Sequence, residues 1–393
     1  MKSQYTPTYH HFWNRDFTLL TIAEMLLCIS CYMTIPLLPF RLVKVQTTWN
    51  GLSYYAIISF IVGICISGFF SSWLIQRYRR NKVYSISAIC LGATIFGLSL
   101  FETGQHVSLD IYPYALLTTC FVSGFVFGTA KRVLSCTLLI DKTDSCHRTE
   151  ANYTAIWISR LTIIAGPLLA LMLHNELKGS LLYMVGAATT LASALLVMCV
   201  KFPFRAPEEG VHLLSIDRFF LPQGWTVSLV ITLTTIPLGL MIASRMIAMF
   251  YAALMTGFVV AALALQIQTI RNTRFASAAG YAISILAILT MSVHDDAWDC
   301  SLKPMIFGLG IALILSKQLY KLLNNCDHCQ RSTAESTYFL SSDCGLFLGI
   351  ALGWQLTADT KSAEQVALYL LIASAIICSL NIFKKKKQTR HHA

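Results

Sequence analysis

The chain has 393 residues, 55% of them hydrophobic and only 12% charged, with a mean hydropathy of +0.61 and a formal net charge of +11. A soluble globular domain is about one-quarter charged, so this composition excludes a water-soluble enzyme or binding module and makes lipid the solvent for much of the chain. Apolar runs of about 20 residues, the length a helix needs to cross roughly 30 Å of hydrocarbon, recur from end to end.

In chain order the pattern predicts an all-α integral membrane protein with twelve transmembrane helices, near residues 17–40, 52–75, 83–101, 112–138, 151–174, 180–200, 224–243, 246–268, 276–293, 304–325, 336–357 and 364–383. The first run is long for a signal peptide and lacks a small-x-small site, so no cleavable leader is expected. Glu24 lies within span 1, Lys131 and Arg132 within span 4, Arg160 within span 5, Lys317 within span 10 and Asp343 within span 11. The longest polar connection, FPFRAPEEGVHLLSIDRFFLP (202–222), leaves six spans on each side. Residues 1–201 and 223–393 are therefore expected to form two bundles. In span 7, Thr232, Thr234 and Thr235 precede Pro237 and either satisfy backbone freed by the proline or line a cavity. Met246, Phe250, Tyr251 and Met255 have helical spacing, which favours ordinary packing over a hydrophobic drug pocket.

Basic residues cluster at Arg77–Lys82, at Lys142 and Arg148, at Lys201–Arg218, at Arg271 and Arg274, and in the tail Lys384–Arg390, all on the side that carries both termini. The positive-inside rule puts that side in the cytoplasm, which makes the net charge a topological signal and leaves no case for nucleic-acid binding. The 13 cysteines fall mostly within spans and cytoplasmic loops, where they act as small apolar residues or reduced thiols. Only Cys300 lies clearly outside. The segment CDHC (326–329), with Cys146 and His147, has part of a zinc-ligand pattern, but its spacing is short and reduced surface thiols fit it better. No G-x-x-x-x-G-K-[ST], H-E-x-x-H or G-x-S-x-G occurs, so a nucleotide-driven pump, a metalloprotease and an esterase all lack their motifs.

A shift of 183 residues lays RTEANYTAIWISRLTIIAG (148–166) on RSTAESTYFLSSDCGLFLG (331–349), matching Arg148 with Arg331, Ser159 with Ser342 and Gly166 with Gly349. Span 5 thereby pairs with span 11, as a six-plus-six duplication requires. Arg160 falls on Asp343, a charge of opposite sign.

Several segments resemble those of the major facilitator superfamily. TIPLLPF (34–40) is similar to the proline-containing end of its first helix. SSWLIQRYRRNK (71–82) occupies the place of its G-x-x-x-D-R-x-G-R-R loop, with Arg77 and Arg80 matching and Gln76 standing where the aspartate would be. Gly166-Pro167 is similar to the helix-5 motif of its drug antiporters. The resemblance implies two pseudo-symmetric six-helix bundles, alternating access about a midplane site, and a gating role for the loop residues Gln76, Arg77 and Arg80. It implies proton-coupled export of a small organic molecule, with uptake of an organic anion or a non-transporting sensor as alternatives. Spans 1, 4, 7 and 10 would then line the cavity, with 5 and 11 beside it.

An ionisable residue deep in a membrane helix is costly, and so marks a functional site by default. One acid–base pair per half is expected, Glu24 with Arg160 and Asp343 with Lys317. Lys131 and Arg132 are placed to snorkel to water, and no more than one of them should face the cavity because adjacent helical residues point about 100° apart. More bases than acids would favour an anionic or zwitterionic substrate. Protons, the small-molecule substrate and lipid are the expected partners. The expectation is completed by a monomer in the inner membrane, without enzymatic activity, cofactor or metal.

Overall fold

The computed structural model describes residues 13–39, 51–103, 111–143, 148–176, 180–203, 208, 210–267, 275–293, 301–324, 326–327, 330–356 and 360–391. Among these residues there are twelve long helices and no strand. They are α1 (Arg15–Thr34), α2 (Leu52–Arg77), α3 (Arg80–Thr103), α4 (Tyr112–Val133, running on to Asp141), α5 (Arg148–Glu176) and α6 (Ser180–Met198), then α7 (Trp225–Ser244), α8 (Ala248–Ala264), α9 (Phe275–Val293), α10 (Leu302–Asn324), α11 (Arg331–Gln355) and α12 (Thr360–His391). Nine described helices are long and apolar enough to cross a membrane, and α8 and α9 contribute shorter apolar stretches. Helix α11 is different: RSTAESTYFLSSD is rich in hydroxyls and acids, yet most of it is buried. A helix with polar groups that is nonetheless buried must turn them toward protein partners, because lipid offers none.

Local chemistry sets the boundaries. Asn14 caps α1 by accepting from the Phe17 amide at 2.7 Å, and α1 stops just before Pro36, whose ring lacks the N–H that the next turn would use. In α4 the ladder widens into a π-turn at Leu134–Leu138 before closing at Leu139–Asp141.

Within the first six helices, α1 packs on α4, α5 and α6, α2 on α4, and α3 on α4 and α6. The second six repeat each of these contacts: α7 packs on α10, α11 and α12, α8 on α10, and α9 on α10 and α12. The two halves meet through α2 with α11 and α5 with α8, which are again equivalent under the repeat. Close packing in a membrane relies on small residues. A Cβ on Gly63 would strike the backbone of α4 at Phe121, and one on Gly124 would strike α2 at Phe60.

The connection between the halves is not a slack linker in its described part. The Glu208 amide donates to Gln76 O at 3.2 Å and the Ser215 amide to Phe69 O at 3.0 Å, while the Phe219 ring seats on Gly68. The Leu221 amide then donates to Thr337 Oγ1 of α11 at 2.8 Å. The connection thus lies across the ends of α2 and α11 on the face that carries both termini.

Candidate functional site: a charged seam between the halves

The repeat-related charges Arg160 and Asp343 both reach across the seam. Asp343, on α11, accepts from Lys131 Nζ of α4 at 2.8 and 3.0 Å and from Tyr32 Oη of α1 at 2.7 Å. Lys131 also donates to Tyr32 Oη at 2.8 Å, closing a triangle whose two charged side chains are each 3% exposed. The ammonium lies over the Phe339 ring at 4.6 Å, with Tyr32 and Phe127 at 5.4 and 5.5 Å. These π faces favour the cation in the dry interior.

Arg160, on α5, donates through Nε to Tyr338 Oη at 2.6 Å, through one terminal nitrogen to Ser316 Oγ at 2.8 Å and through the other to Leu315 O at 3.0 Å. Its guanidinium carbon lies over the Trp157 and Tyr338 rings, 5.0 and 4.9 Å from their centroids. Each of those hydrogen-bond partners is neutral. The guanidinium fork meets three acceptors at once, which an ammonium could not do with the same geometry.

This geometry corrects the expected pairing. Glu24 is not the partner of Arg160: its Oε1 accepts from Ser135 Oγ at 2.8 Å, within the π-turn of α4. Asp343 is paired with Lys131 from the other half and not with Lys317 of its own half. The reason lies in helix phase. Ser316 is turned toward Arg160, so Lys317, one residue on, points about 100° away and is half-buried on another side of α10. Nor do Lys131 and Arg132 snorkel, since both are buried. Arg132 faces α2, donating to Ser67 Oγ at 2.8 Å and Ile64 O at 2.7 Å beneath the Phe219 ring. As expected, the two neighbours point apart and Lys131 alone joins the central network.

The motif remnants find partners too. Arg80 bonds Asp141 at 2.6 Å, tying the start of α3 to the end of α4. With its amide oxygen turned toward Arg218, Gln76 accepts from Nε and a terminal nitrogen at 3.2 and 3.3 Å. Arg77 is exposed. Gly166 presses on α1, where a Cβ would lie 2.7 Å from the Tyr32 backbone, and Pro167 follows it within α5. The repeat-related Gly349 presses in the same way on Ile236 of α7, so the 183-residue register aligns structurally equivalent positions.

Elsewhere, Thr234 and Thr235 bond the carbonyls of Val230 and Ile231 at 2.7 and 3.1 Å, and Thr232 bonds Ser341 O of α11 at 3.2 Å. They are helix-packing groups. Phe250 and Tyr251 are core residues, and Tyr251 donates to Ile242 O at 2.6 Å. The Cys146, His147, His328 and Cys329 positions of the zinc pattern, and Cys300, lie outside the described residues.

Three participants escaped the sequence reading. Tyr32 and Tyr338 carry no charge to mark them. Glu335 is fully buried near the start of α11, one position before the predicted span begins. Its signal was available, because RSTAES continues the helical pattern without a break.

No protein-family model matches the chain, and no curated protein matches it in sequence. Solved structures do. A D-xylose–proton symporter is 13% identical with a TM-score of 0.67, covering 92% of this chain and 96% of that one. A point mutant of the nucleoside transporter NupG is 13% identical with a TM-score of 0.64, covering 92% and 99%. A bacterial homologue of the iron transporter ferroportin, in an outward-facing state, is 14% identical with a TM-score of 0.64, covering 93% and 98%. All three are membrane transporters and none is an enzyme. At such low identity the likeness speaks to architecture, and in architecture this chain has the major facilitator fold.

Proposed function

We propose that the chain is a secondary active transporter that works by alternating access and exports a small organic molecule in exchange for protons. The observation that carries this reading is the position of Arg160 and Asp343. They are repeat-related, buried, and each bonded into the opposite half. A rocking motion of residues 1–201 against 223–393 has to release both, and a substrate or proton that takes over either set of bonds thereby biases the motion. Glu24 is the proton-carrying group of this reading, while Lys131, Arg160 and Asp343 meet the substrate. Arg132, Lys317 and the loop residues Gln76, Arg77 and Arg80 hold the frame. Gly166-Pro167 supports the outward direction through its likeness to the antiporter motif. The setting is the inner membrane, with a monomer whose termini are both cytoplasmic.

A second reading, uptake of an organic anion, is favoured by one observation: the bonded partners of Arg160 are two hydroxyls and a carbonyl. The guanidinium keeps its charge for a carboxylate or phosphate on the substrate.

The test is proton flux in proteoliposomes containing a pH-sensitive dye, challenged with pooled organic anions and lipophilic cations. Wild-type protein should show substrate-driven proton movement, and Glu24→Gln should lose it while still exchanging substrate. Protons moving with the substrate would favour uptake over export. Absence of flux with every pool would sink transport and leave a non-transporting sensor.

A further inference from the structure

Two buried acids from opposite halves lie around the π-turn of α4: Ser135 of that turn donates to Glu24 Oε1 at 2.8 Å, and the turn packs on α11, which carries Glu335. Glu24 of α1 and Glu335 of α11 are both 0% exposed. Cys136, also buried, belongs to the same π-turn. Of the four carboxylate oxygens, only Glu24 Oε1 has a hydrogen-bond donor, and the other three have none. Thr21 Oγ1, three residues before Glu24 and so on the same face of α1, is likewise buried without a partner.

We propose that Glu24 and Glu335 form a single proton-binding site shared between the two halves, which closes only when at least one of the two carboxyls is protonated.

A buried carboxylate without a cation partner is costly to keep ionised, and two of them facing one dry interior are costlier still. The surrounding groups do not relieve them. Lys131 is committed elsewhere, its ammonium bonded to Asp343 and Tyr32. Arg132 is turned to α2. Toward α1, α3 presents Tyr84, bonded to Ser193 of α6, and α5 presents Ser159, facing Cys28. Around α11, α7 offers Ser228 and α2 offers Cys65, and Arg160 of α5 is engaged with Tyr338. Among the described residues no cation is ion-paired with either glutamate. A proton taken from water converts one carboxylate into a carboxylic acid. The acid is neutral and gains a donor of its own, so no unpaired charge is left at that carboxyl. No described group of three or more His, Cys, Asp or Glu is placed to hold a metal, and a pair of acids suits a proton better.

The consequence is a conformational coupling. Glu24 and Glu335 belong to different halves, so like charge on both pushes the halves apart at this face, and protonation lets them close. That role rests on the transporter reading, whereas occupancy by a proton can be read without any substrate.

The experiment is infrared difference spectroscopy on the full chain in liposomes as pH is varied. It compares wild type, Glu335→Gln, Glu24→Gln and the double variant, each checked for monodisperse elution and cooperative melting. Wild type should show the C=O stretch of a protonated carboxylic acid in an apolar setting at neutral pH. Either single variant should weaken or shift the band, and the double variant should abolish it. Glu335→Asp, which keeps a carboxyl, should retain a shifted band. Exchanging sodium for choline should change nothing. A band absent from wild type, or untouched by Glu335→Gln, overturns the proposal, and a band lost on adding sodium overturns the proton in favour of a metal cation. In the flux assay, Glu335→Gln should lose proton movement and keep substrate exchange. Wild-type proton movement in that variant would overturn this site while leaving the transporter reading intact.

Discussion

Lys131 and Asp343 show why a charge in a membrane helix says little until its partner is known. Each is tolerated because the other neutralises it, and because Tyr32 and the ring faces saturate the remaining bonds. Removing one member strands the other. Asp343→Leu should therefore destabilise the protein by about 3–5 kcal/mol, whereas Lys131→Met combined with Asp343→Leu should restore most of that loss. Thermal melting in detergent measures both. The double variant should nonetheless fail to transport, because the ion pair that opening must break is gone; a fully active double variant would show that the pair is a static clamp. At this scale the sequence disclosed which residues are anomalous but not whom they touch. Pairing within each half was a natural guess, since the resemblance places spans 5 and 11 beside the cavity in their own halves, and α1 does pack on α5 and α10 on α11. A linear pattern carries no information on which side of the seam a side chain crosses. Tyr32 and Tyr338 left no trace because a buried phenol and a core aromatic look alike in one dimension.

Among the elements, the repeat register was the most informative thing legible in the chain. Gly166 and Gly349 were matched on letters alone, and both proved to be places where a helix backbone lies against its neighbour, α5 on α1 and α11 on α7. Helix count and order were legible for the same reason that membrane topology generally is: each span must satisfy its own backbone, so length and hydropathy suffice. The polar start of α11 and the π-turn of α4 were not. The first sits below the hydropathy of a span because its acids and hydroxyls face protein, and the second falls in LSCTL (134–138), where no proline or glycine marks it. Glycine contacts give a sharp contrast to test. Gly166→Leu must push α5 off Tyr32 and should cost about 1–3 kcal/mol, with a matching fall in melting temperature. Gly97→Ala, on α3 with open space around it, should be neutral or stabilising by up to about 1 kcal/mol. Equal effects from the two would mean that helix propensity, not interhelix approach, governs these positions.

Across the whole molecule, inter-half contacts run the length of the seam. They begin where the π-turn of α4 packs on α11, pass Cys65 with Cys344 and Lys131 with Asp343, and end where Trp354 Nε1 donates to Pro36 O at 3.2 Å. Contacts toward both ends make this a closed arrangement of the described residues, with Lys131, Arg160 and Asp343 all buried. On the proposed transport reading, alternating access breaks one end and then the other and parts α2 from α11 during the cycle. The two sulfurs at that contact make the motion measurable. Cys65 Sγ and Cys344 Sγ are 3.6 Å apart in opposite halves, and neither is in a disulfide. Diamide accepts two hydrogens as two thiols join, so treatment of the closed protein should form a Cys65–Cys344 bond. After cleavage in the 202–222 connection, that bond would hold the two halves together on a non-reducing gel. Transport should stop on oxidation and return with dithiothreitol, and Cys65→Ser or Cys344→Ser should be immune to both treatments. If the cross-linked protein still transports at the wild-type rate, α2 and α11 do not separate during the cycle. Rocking about the charged seam would then have to give way to local gating by individual helices.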